Sequence, residues 1–396
     1  MPYINFKEEK FKANKQLNNR KQNNDNIIKE IIKDKGSLNM IPDEKWSFTT
    51  FKKKIFNNES TQSEERFLEI SYKIIACSIF EDCMLYNIKF KECTFIGCKF
   101  IECDFGGGGV IFENCNFYLE NIINEPNLNK KDNLSCTFDK CSLYVKFTGT
   151  SLNYVIMEDC FLKESTFELT DITSGIIINS HLKRLDIIDS DLSGIKILDT
   201  YIEDLEFNDK LNTKFDEKSF IDKIKPRKNT KAEYEGIYMV YETIADKFEQ
   251  NSLRNNFGEY YYLCKTMQRK SLNKIGPRFG SWIYWAVSGY GERVVHTLIS
   301  SIIIMNIFAI LYLLLGLDIQ GFKVAYLFKE GFPVTIKEFI MQYNESLNLS
   351  VGTFAGVGTN NCSQTPITYM IANVEIIMGA AMMGIGIGTV TRKLIR

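Results

Sequence analysis

The 396-residue sequence predicts a multidomain protein in which a β-solenoid is followed by an α-helical membrane pore domain. Two observations support this prediction. An apolar residue recurs at every fifth position in two stretches of residues 75–207, and two apolar runs, residues 294–317 and 367–390, flank a short glycine-rich segment. Because a transmembrane helix needs about 20 apolar residues, each run is long enough to cross a bilayer. The glycine-rich segment between them predicts a re-entrant loop, since non-helical backbone survives at membrane depth only beside a wet cavity.

The first part of the chain, residues 1–74, is rich in Asn, Lys and Glu and has few apolar positions. It carries 15 basic and 11 acidic side chains, and only residues 27–36 are typical of a short helix. A segment of this composition buries too little apolar surface to fold alone. We therefore interpret it as a polar, solvated N-terminal arm. Its start has no apolar run and so predicts no signal peptide, which favours a cytoplasmic location for the arm and for the domain that follows.

Residues 75–207 repeat every five positions, a period typical of neither a helix nor a single strand. After an early set from Phe80 to Phe105 and an interruption, thirteen consecutive units place an apolar residue at the same position. Most residues two places earlier are small or apolar, and eight of the nine cysteines between Cys77 and Cys160 occupy this second position. Two inward positions per five residues predict a solenoid whose core is buried only by stacking repeats. We interpret the cysteines as reduced core residues; metal binding or redox sensing is the alternative.

This pattern resembles the pentapeptide-repeat family, which implies a right-handed quadrilateral β-helix with four units per coil. The resemblance covers about 130 residues and implies a fold more than an activity. Residues 75–207 carry 22 acidic and 11 basic side chains, and the inward positions hold no carboxylate, so the acidic excess lies on the outer faces. Some family members imitate DNA with an acidic rod and bind a topoisomerase. That property keeps a protein-binding alternative open.

Residues 208–278 predict a charged linker followed by cytoplasmic helices at 232–250 and 257–270. Residues 279–396 then form the predicted two-span pore domain. It opens with an aromatic group around Trp282 and Trp285, typical of a membrane interface. Basic residues lie before the first apolar run and after the second, which predicts a multi-pass protein of the cell membrane with both termini in the cytoplasm.

The segment SVGTFAGVGTNN, residues 350–361, resembles the pore-helix end and filter of two-span potassium-type channels. Aligned without a gap, the matching residues are Ser350, Thr353, Phe354, Val357 and Gly358. The second apolar run is also similar to the inner helix of that family, with a glutamate four residues before a glycine. The resemblance implies a homotetramer, because a filter is a ring of backbone carbonyls from four chains. The residues so assigned to the filter are Thr353, Gly356, Val357, Gly358, Thr359 and Asn360, and those assigned to the inner helix as pore or hinge residues are Glu375, Gly379 and Gly384.

The segment departs from the family pattern where ion selectivity is set. Gly356 stands in place of a threonine, Thr359 in place of a tyrosine and Asn360 in place of the second glycine. A one-residue shift restores both glycines, as Gly356 and Gly358, but loses the other matches. We therefore expect conduction of potassium and sodium with weak selectivity, no cofactor, and no metal beyond the permeant cations. Glu375 is expected either to form hydrogen bonds behind or beside the filter or to make a structural pair with Asn373.

The favoured hypothesis is a tetrameric cation channel with a cytoplasmic repeat domain. Its expected partners are further copies of itself, membrane lipid and a possible cytoplasmic protein or ligand at the β-helix; no nucleic acid is expected. The alternative is a membrane-tethered pentapeptide-repeat binding protein whose acidic rod grips a protein partner. We expect no enzyme activity, because neither His181 nor His296 has the neighbours typical of a catalytic or metal site.

Overall fold

The computed structural model describes residues 4–35, 38, 40–57, 67–119, 134–358 and 361–395. It divides into two compact units, which we call the repeat unit, up to Ser271, and the C-terminal unit, from Leu272 onward. Each unit is built around its own apolar core.

The repeat unit is a β-solenoid built from two long parallel sheets and several shorter pairings. The first sheet contains β1 (Thr50–Lys52), β4 (Ile79–Glu81), β7 (Lys99–Ile101), β11 (Thr137–Asp139), β13 (Ile156–Glu158), β15 (Ile176–Ile178), β17 (Lys196–Leu198) and β19 (Phe220–Ile221). The second contains β2 (Leu68–Ser71), β5 (Ile88–Lys91), β8 (Asp104–Glu113), β12 (Ser142–Thr148), β14 (Phe161–Glu168), β16 (His181–Ile188) and β18 (Tyr201–Phe207). The shorter pairs are β3 (Ile74–Ala76) with β6 (Thr94–Ile96), and β9 (Tyr118–Leu119) with β10 (Leu134–Ser135).

The register of the strands confirms the five-residue pattern. Ile177 pairs with Ile197, twenty residues later, so four five-residue units make one coil. Aromatic rings stack along the axis, and Phe100 lies 4.8 Å from the rings of both Phe80 and Phe138. Twelve of the thirteen predicted apolar residues from Phe147 onward are buried; the last, Phe207, is half-buried.

The cysteines of the solenoid are buried and form no disulfide. Eight of these nine thiols donate to carbonyl groups of the preceding coil, as Cys98 does to Ile75 O at 3.2 Å and Cys103 to Phe80 O at 3.2 Å. Thr170 and Ser190 make the same bond further along the chain, to Phe147 O and Phe167 O. Cysteine, serine and threonine therefore serve one structural purpose here. Across the residues that the structure describes, no cluster of potential ligands is placed to hold a metal.

The N-terminal segment corrects the expectation of a solvated arm. Residues Phe6–Lys33 form one 28-residue helix, α1. Its Ala13 and Leu17 are buried against outward apolar side chains of the first sheet, including Ile176. The Arg20 guanidinium donates to two backbone carbonyls at corners of the solenoid, at 3.1 and 2.8 Å. The helix folds because one face of the solenoid supplies the apolar surface that the segment itself lacks.

The predicted linker at 208–278 also differs from expectation, because the solenoid continues through β19. Two helices, α2 (Lys231–Gln250) and α3 (Arg254–Ser271), then pack on its last coil. The hydroxyl of Tyr260 accepts from Ile221 N at 2.8 Å, and that of Tyr241 accepts from Ile224 N at 2.7 Å. These phenols satisfy backbone groups that the end of a sheet would otherwise leave unpaired.

The C-terminal unit consists of four helices and a small sheet. The helices are α4 (Ile275–Ser288), α5 (Val294–Leu315), α6 (Ile336–Ala355) and α7 (Tyr369–Ile395). The antiparallel strands are β20 (Leu317–Ile319), β21 (Phe322–Val324) and β22 (Cys362–Gln364), and a 3-10 helix covers Tyr326–Phe328.

Two helices, α5 and α7, are long and apolar enough to cross a membrane, judged by length and composition alone. Only 22% of the apolar window of each is buried within the chain. Most of their surface is therefore available to lipid or to other chains. The aromatic side chains of Phe279 and Trp282 on α4 are exposed as well, and their expected place at a membrane interface stays a prediction.

Candidate functional site

The candidate site is the glycine turn that ends α6. The helix begins with a capping box, in which Thr335 and Glu338 bond to each other's backbone amides. It ends at Gly356, whose φ of 73° lies in the left-handed region, and Gly358 has a φ of 75°. The amides of Val357 and Gly358 turn back to donate to Gly352 O at 3.0 and 3.1 Å. Left-handed angles cost glycine little, which explains why a glycine-rich stretch follows the helix directly.

The position at which α6 ends can be expressed as a distance along the axis of α7. The carbonyl oxygen of Gly316, at the end of α5, accepts from Thr365 at 3.2 Å and Thr368 at 3.1 Å, just before α7 begins. The end of α5 and the start of α7 therefore lie side by side. The last turn of α6, at Phe354, meets α7 at Gly379, ten residues from Tyr369 and hence about 15 Å along that helix.

After the turn the chain comes back to its starting level. Strand β22 pairs with β20, which follows α5 directly. The segment between the two apolar helices thus leaves the end of α5, descends about 15 Å beside α7 and returns. The loop therefore runs alongside α7 and back within the C-terminal unit.

Contact between α6 and α7 depends on Gly379. A Cβ at this position would lie 2.0 Å from Phe354 O, far inside van der Waals contact. At Gly384, by contrast, such a Cβ would meet no heavy atom of the described residues within 4 Å. Both glycines lie within one continuous helix, so the assignment of either as a hinge stays a prediction.

Glu375 lies in the interior of the unit. Its side chain is 0% exposed, and Tyr312 on α5 donates to its Oε2 at 2.7 Å. Ser350 on α6 donates to the other carboxylate oxygen. One carboxylate therefore joins all three helices directly behind the last turn of α6. Asn373, the alternative partner considered for Glu375, is exposed.

Thr353 extends this network towards the small sheet. It is 4% exposed, and its hydroxyl accepts from Gln364 Nε2 at 3.1 Å. Its side chain is therefore buried behind the turn, whereas Val357 is 81% exposed. Thr359 and Asn360, the two remaining predicted filter residues, lie outside the described residues.

Sequence reasoning did not find Tyr312 or Gln364 as parts of the site. Tyr312 gave one usable signal, since a tyrosine within an apolar run needs a partner for its hydroxyl. Gln364 gave none, because its role depends on β22 folding back beside α6.

At the other end of the two apolar helices, the Glu292 carboxylate is buried between basic groups. It lies 3.5 Å from Arg392 and 3.8 Å from Lys393, near the C-terminal end of α7, and α5 begins two residues after it. The start of α5 and the end of α7 are therefore held together by ion pairs.

Comparisons with known proteins concern the repeat unit. Residues 80–118 match the family of pentapeptide repeats (9 copies). The repeat unit is a pentapeptide-repeat β-solenoid. This agrees with its register of four five-residue units per coil. The match includes no residue of the C-terminal unit, and no curated protein matched the chain.

Several solved structures are similar to the chain at low identity. A trypsin-treated form of QnrB1, a plasmid-mediated fluoroquinolone resistance protein, is 16% identical with a TM-score of 0.29; the match covers 41% of this chain and 66% of that one. HetL, a pentapeptide repeat protein involved in heterocyst differentiation regulation from the cyanobacterium Nostoc sp. strain PCC 7120, is 11% identical with a TM-score of 0.17, covering 40% of this chain and 86% of that one.

Proposed function

We propose that this protein is a homotetrameric cation channel of the cell membrane, with α5 and α7 as its two spans and the turn after α6 as its filter. The observation that carries the proposal is the descent of α6 to about the middle of α7, followed by the return of the chain to its starting level. A helix that only tethers a domain to the membrane does not need such a segment.

The electrostatics of the loop favour cations. The C-terminal end of a helix carries a partial negative charge, equivalent to about half an elementary charge. In the proposed channel that end, at Ala355, faces the middle of the membrane, where a permeating ion is least hydrated. Carbonyl groups of the following turn add dipoles of the same sign. The buried network of Glu375, Tyr312 and Ser350 holds this end in place.

One chain cannot complete the filter, because it supplies a single loop. A methyl group added at Gly356 or at Gly358 would meet no heavy atom of the described residues within 4 Å, and Val357 is largely exposed. Further copies of the chain would occupy the space beside this turn, and four copies close a ring of carbonyls around an axis. The exposed apolar surface of α5 and α7 then divides between lipid and neighbouring copies.

Selectivity for potassium over sodium is expected to be weak. Gly356 offers no hydroxyl to the ion, and Thr359 offers no aromatic ring to pack the filter wall. A wider or more flexible ring of carbonyls still repels anions. It discriminates less between potassium and sodium, because ring size and the field strength of the carbonyls set that discrimination.

The test is a reversal potential measured on the purified protein in planar bilayers, with potassium on one side and sodium on the other. We expect a cation current that reverses near zero. The double variant Gly356→Thr, Thr359→Tyr should move the reversal towards the potassium equilibrium value. A native reversal that follows chloride, or the absence of any current from a protein that inserts normally, would contradict the channel.

The second candidate is a membrane-tethered pentapeptide-repeat protein that binds a protein partner. The observation in its favour is the twofold acidic excess in residues 75–207, 22 acidic against 11 basic side chains. Among the described residues of that range no carboxylate is buried, so these charges lie on the outer faces. This candidate predicts a basic partner whose affinity falls with added salt. It predicts no current at all, so the bilayer recording separates the two functions.

A further inference from the structure

The loop between α5 and α6 exposes a cluster of large apolar side chains. We call this cluster the loop patch; its residues and exposed fractions are Phe322 (78%), Leu327 (63%), Phe328 (52%), Phe332 (63%), Val334 (91%) and Ile336 (81%). Single exposed apolar residues are ordinary, but a contiguous group of this kind marks a contact with another apolar phase.

The loop patch is fastened at the level where α5 ends. Strand β20 begins directly after that helix and pairs with both β21 and β22. Tyr326 is half-buried against the core of the unit and bonds to Gln342 on α6. Its ring also lies 5.1 Å from that of Phe332. The loop is therefore folded onto the helix ends, and the patch has a fixed height relative to α5.

Three lysines lie among the apolar side chains of the patch. Lys323, Lys329 and Lys337 are all exposed, and Lys323 pairs with Glu330 at 2.9 Å. Phenylalanine and leucine interleaved with lysine are typical of segments that lie in the interface of a bilayer, where the apolar groups enter the acyl region and the ammonium groups meet phosphates.

We propose that the loop patch inserts into the leaflet in which α5 ends, and that Lys329 and Lys337 bind the headgroups of anionic phospholipids. The proposal rests on the proposed function only in requiring that α5 and α7 cross the membrane. The height of the loop, level with the end of a proposed span, selects lipid as the occupant. Asp318, Glu330 and Glu338 balance the three lysines, so the lysines act as local headgroup contacts and not as a net positive charge.

The experiment places an environment-sensitive fluorophore in the patch of the full-length protein. All eleven native cysteines are buried, so a new cysteine at exposed Phe322 can be labelled selectively with an NBD reagent. The labelled Phe322→Cys protein is reconstituted into vesicles of phosphatidylglycerol and phosphatidylcholine that carry a nitroxide near the top of the acyl chain. We expect a blue-shifted emission that the nitroxide largely quenches. Lys228→Cys, an exposed site in the repeat unit, is the matched control and should be quenched little.

Two further variants and an extraction assay complete the test. Phe332→Cys repeats the test should Phe322→Cys fail to fold, and Lys329→Glu with Lys337→Glu should reduce quenching in vesicles containing phosphatidylglycerol. Alkaline carbonate extraction reports separately whether the protein is integral. A protein that is not integral overturns this proposal and the channel together. Two results with an integral protein would contradict the lipid contact and leave the channel proposal standing. In the first, the fluorophore on the patch remains in water. In the second, it transfers energy only to a second labelled copy.

Discussion

The carbonyl oxygen of Phe354 lies 2.0 Å from the position that a Cβ on Gly379 would occupy. A rotation of a side chain could not relieve this contact, because the opposing atom belongs to the backbone of α6. The last turn of α6 can therefore reach α7 only where α7 has a glycine. This one contact sets the depth of the turn that we propose as the filter.

Replacing Gly379 with alanine should separate α6 from α7. Overpacking of this kind costs about 1–3 kcal/mol in well-packed cores, and a backbone neighbour places the cost at the upper end. We expect a lower melting temperature in detergent and loss of the cation current. Gly384→Ala is the matched control, since its Cβ meets no atom of the described residues within 4 Å. Equal melting temperatures for the two variants would contradict the assigned contact.

Removing the carboxylate of Glu375 should destabilise the C-terminal unit. Glu375→Ala leaves the buried hydroxyl of Tyr312 without its acceptor, whereas Ser350 keeps its bond to Met305 O at 2.9 Å. An unsatisfied buried polar group costs about 1–3 kcal/mol. We expect a lower melting temperature and an altered reversal potential. Asn373→Ala, an exposed change two residues away, should leave both unchanged. A Glu375→Ala protein with native melting and native reversal would show that the network does not support the loop.

A carboxylate placed inside the solenoid should disrupt the repeat unit. Leu182 is 1% exposed, and Leu182→Asp would bury an unpaired charge at a cost of several kcal/mol. We expect rapid proteolysis of the repeat unit, while the apolar helices still insert. Lys163→Asp changes an exposed side chain on the neighbouring strand and should keep the native digestion pattern. Full protease resistance of Leu182→Asp would mean that the inward register is wrong.

The ion pair between Asp209 and Lys247 should make the stability of the repeat unit depend on pH. The two side chains are each 7% exposed and lie 2.6 Å apart, which ties the end of the solenoid to α2. Burial by itself raises the pKa of Asp209, but bonds from Lys247, Thr213 and two backbone amides outweigh it and hold that pKa below its usual value. The stabilisation is therefore present above the unfolded pKa of about 3.9 and is lost as the pH falls through the lower folded pKa.

Lys247→Met should cost about 3–5 kcal/mol at neutral pH, because it leaves the buried Asp209 carboxylate without its cationic partner. The loss should shrink in acid, where Asp209 becomes neutral. The double variant with Asp209→Asn should recover much of the stability. Amide hydrogen exchange of α2 between roughly pH 3 and 7 checks all three proteins. A constant difference between Lys247→Met and the native protein at every pH would exclude the pair as its cause.

The sequence by itself determined the repeat unit and the two apolar helices. A five-residue period is a local property, and each unit contributes the same two inward positions to the stack, so Leu182 and Ile177 could be placed in the core by counting. An apolar run of the length of α5 is equally local, because its length and composition can be read from the sequence without knowledge of any partner.

Tertiary structure alone decided the rest. The apolar edge of α1 is too sparse to predict a packed helix, and the surface that buries Leu17 forms only when distant strands align. Tyr312 and Glu375 are 63 residues apart in the chain, and neither carries a local signal for the other. The close contact at Gly379 is likewise set by the depth at which α6 meets α7. Local periodicity fixes which residues face inward, whereas a partner across a packed interface depends on the relative placement of whole helices.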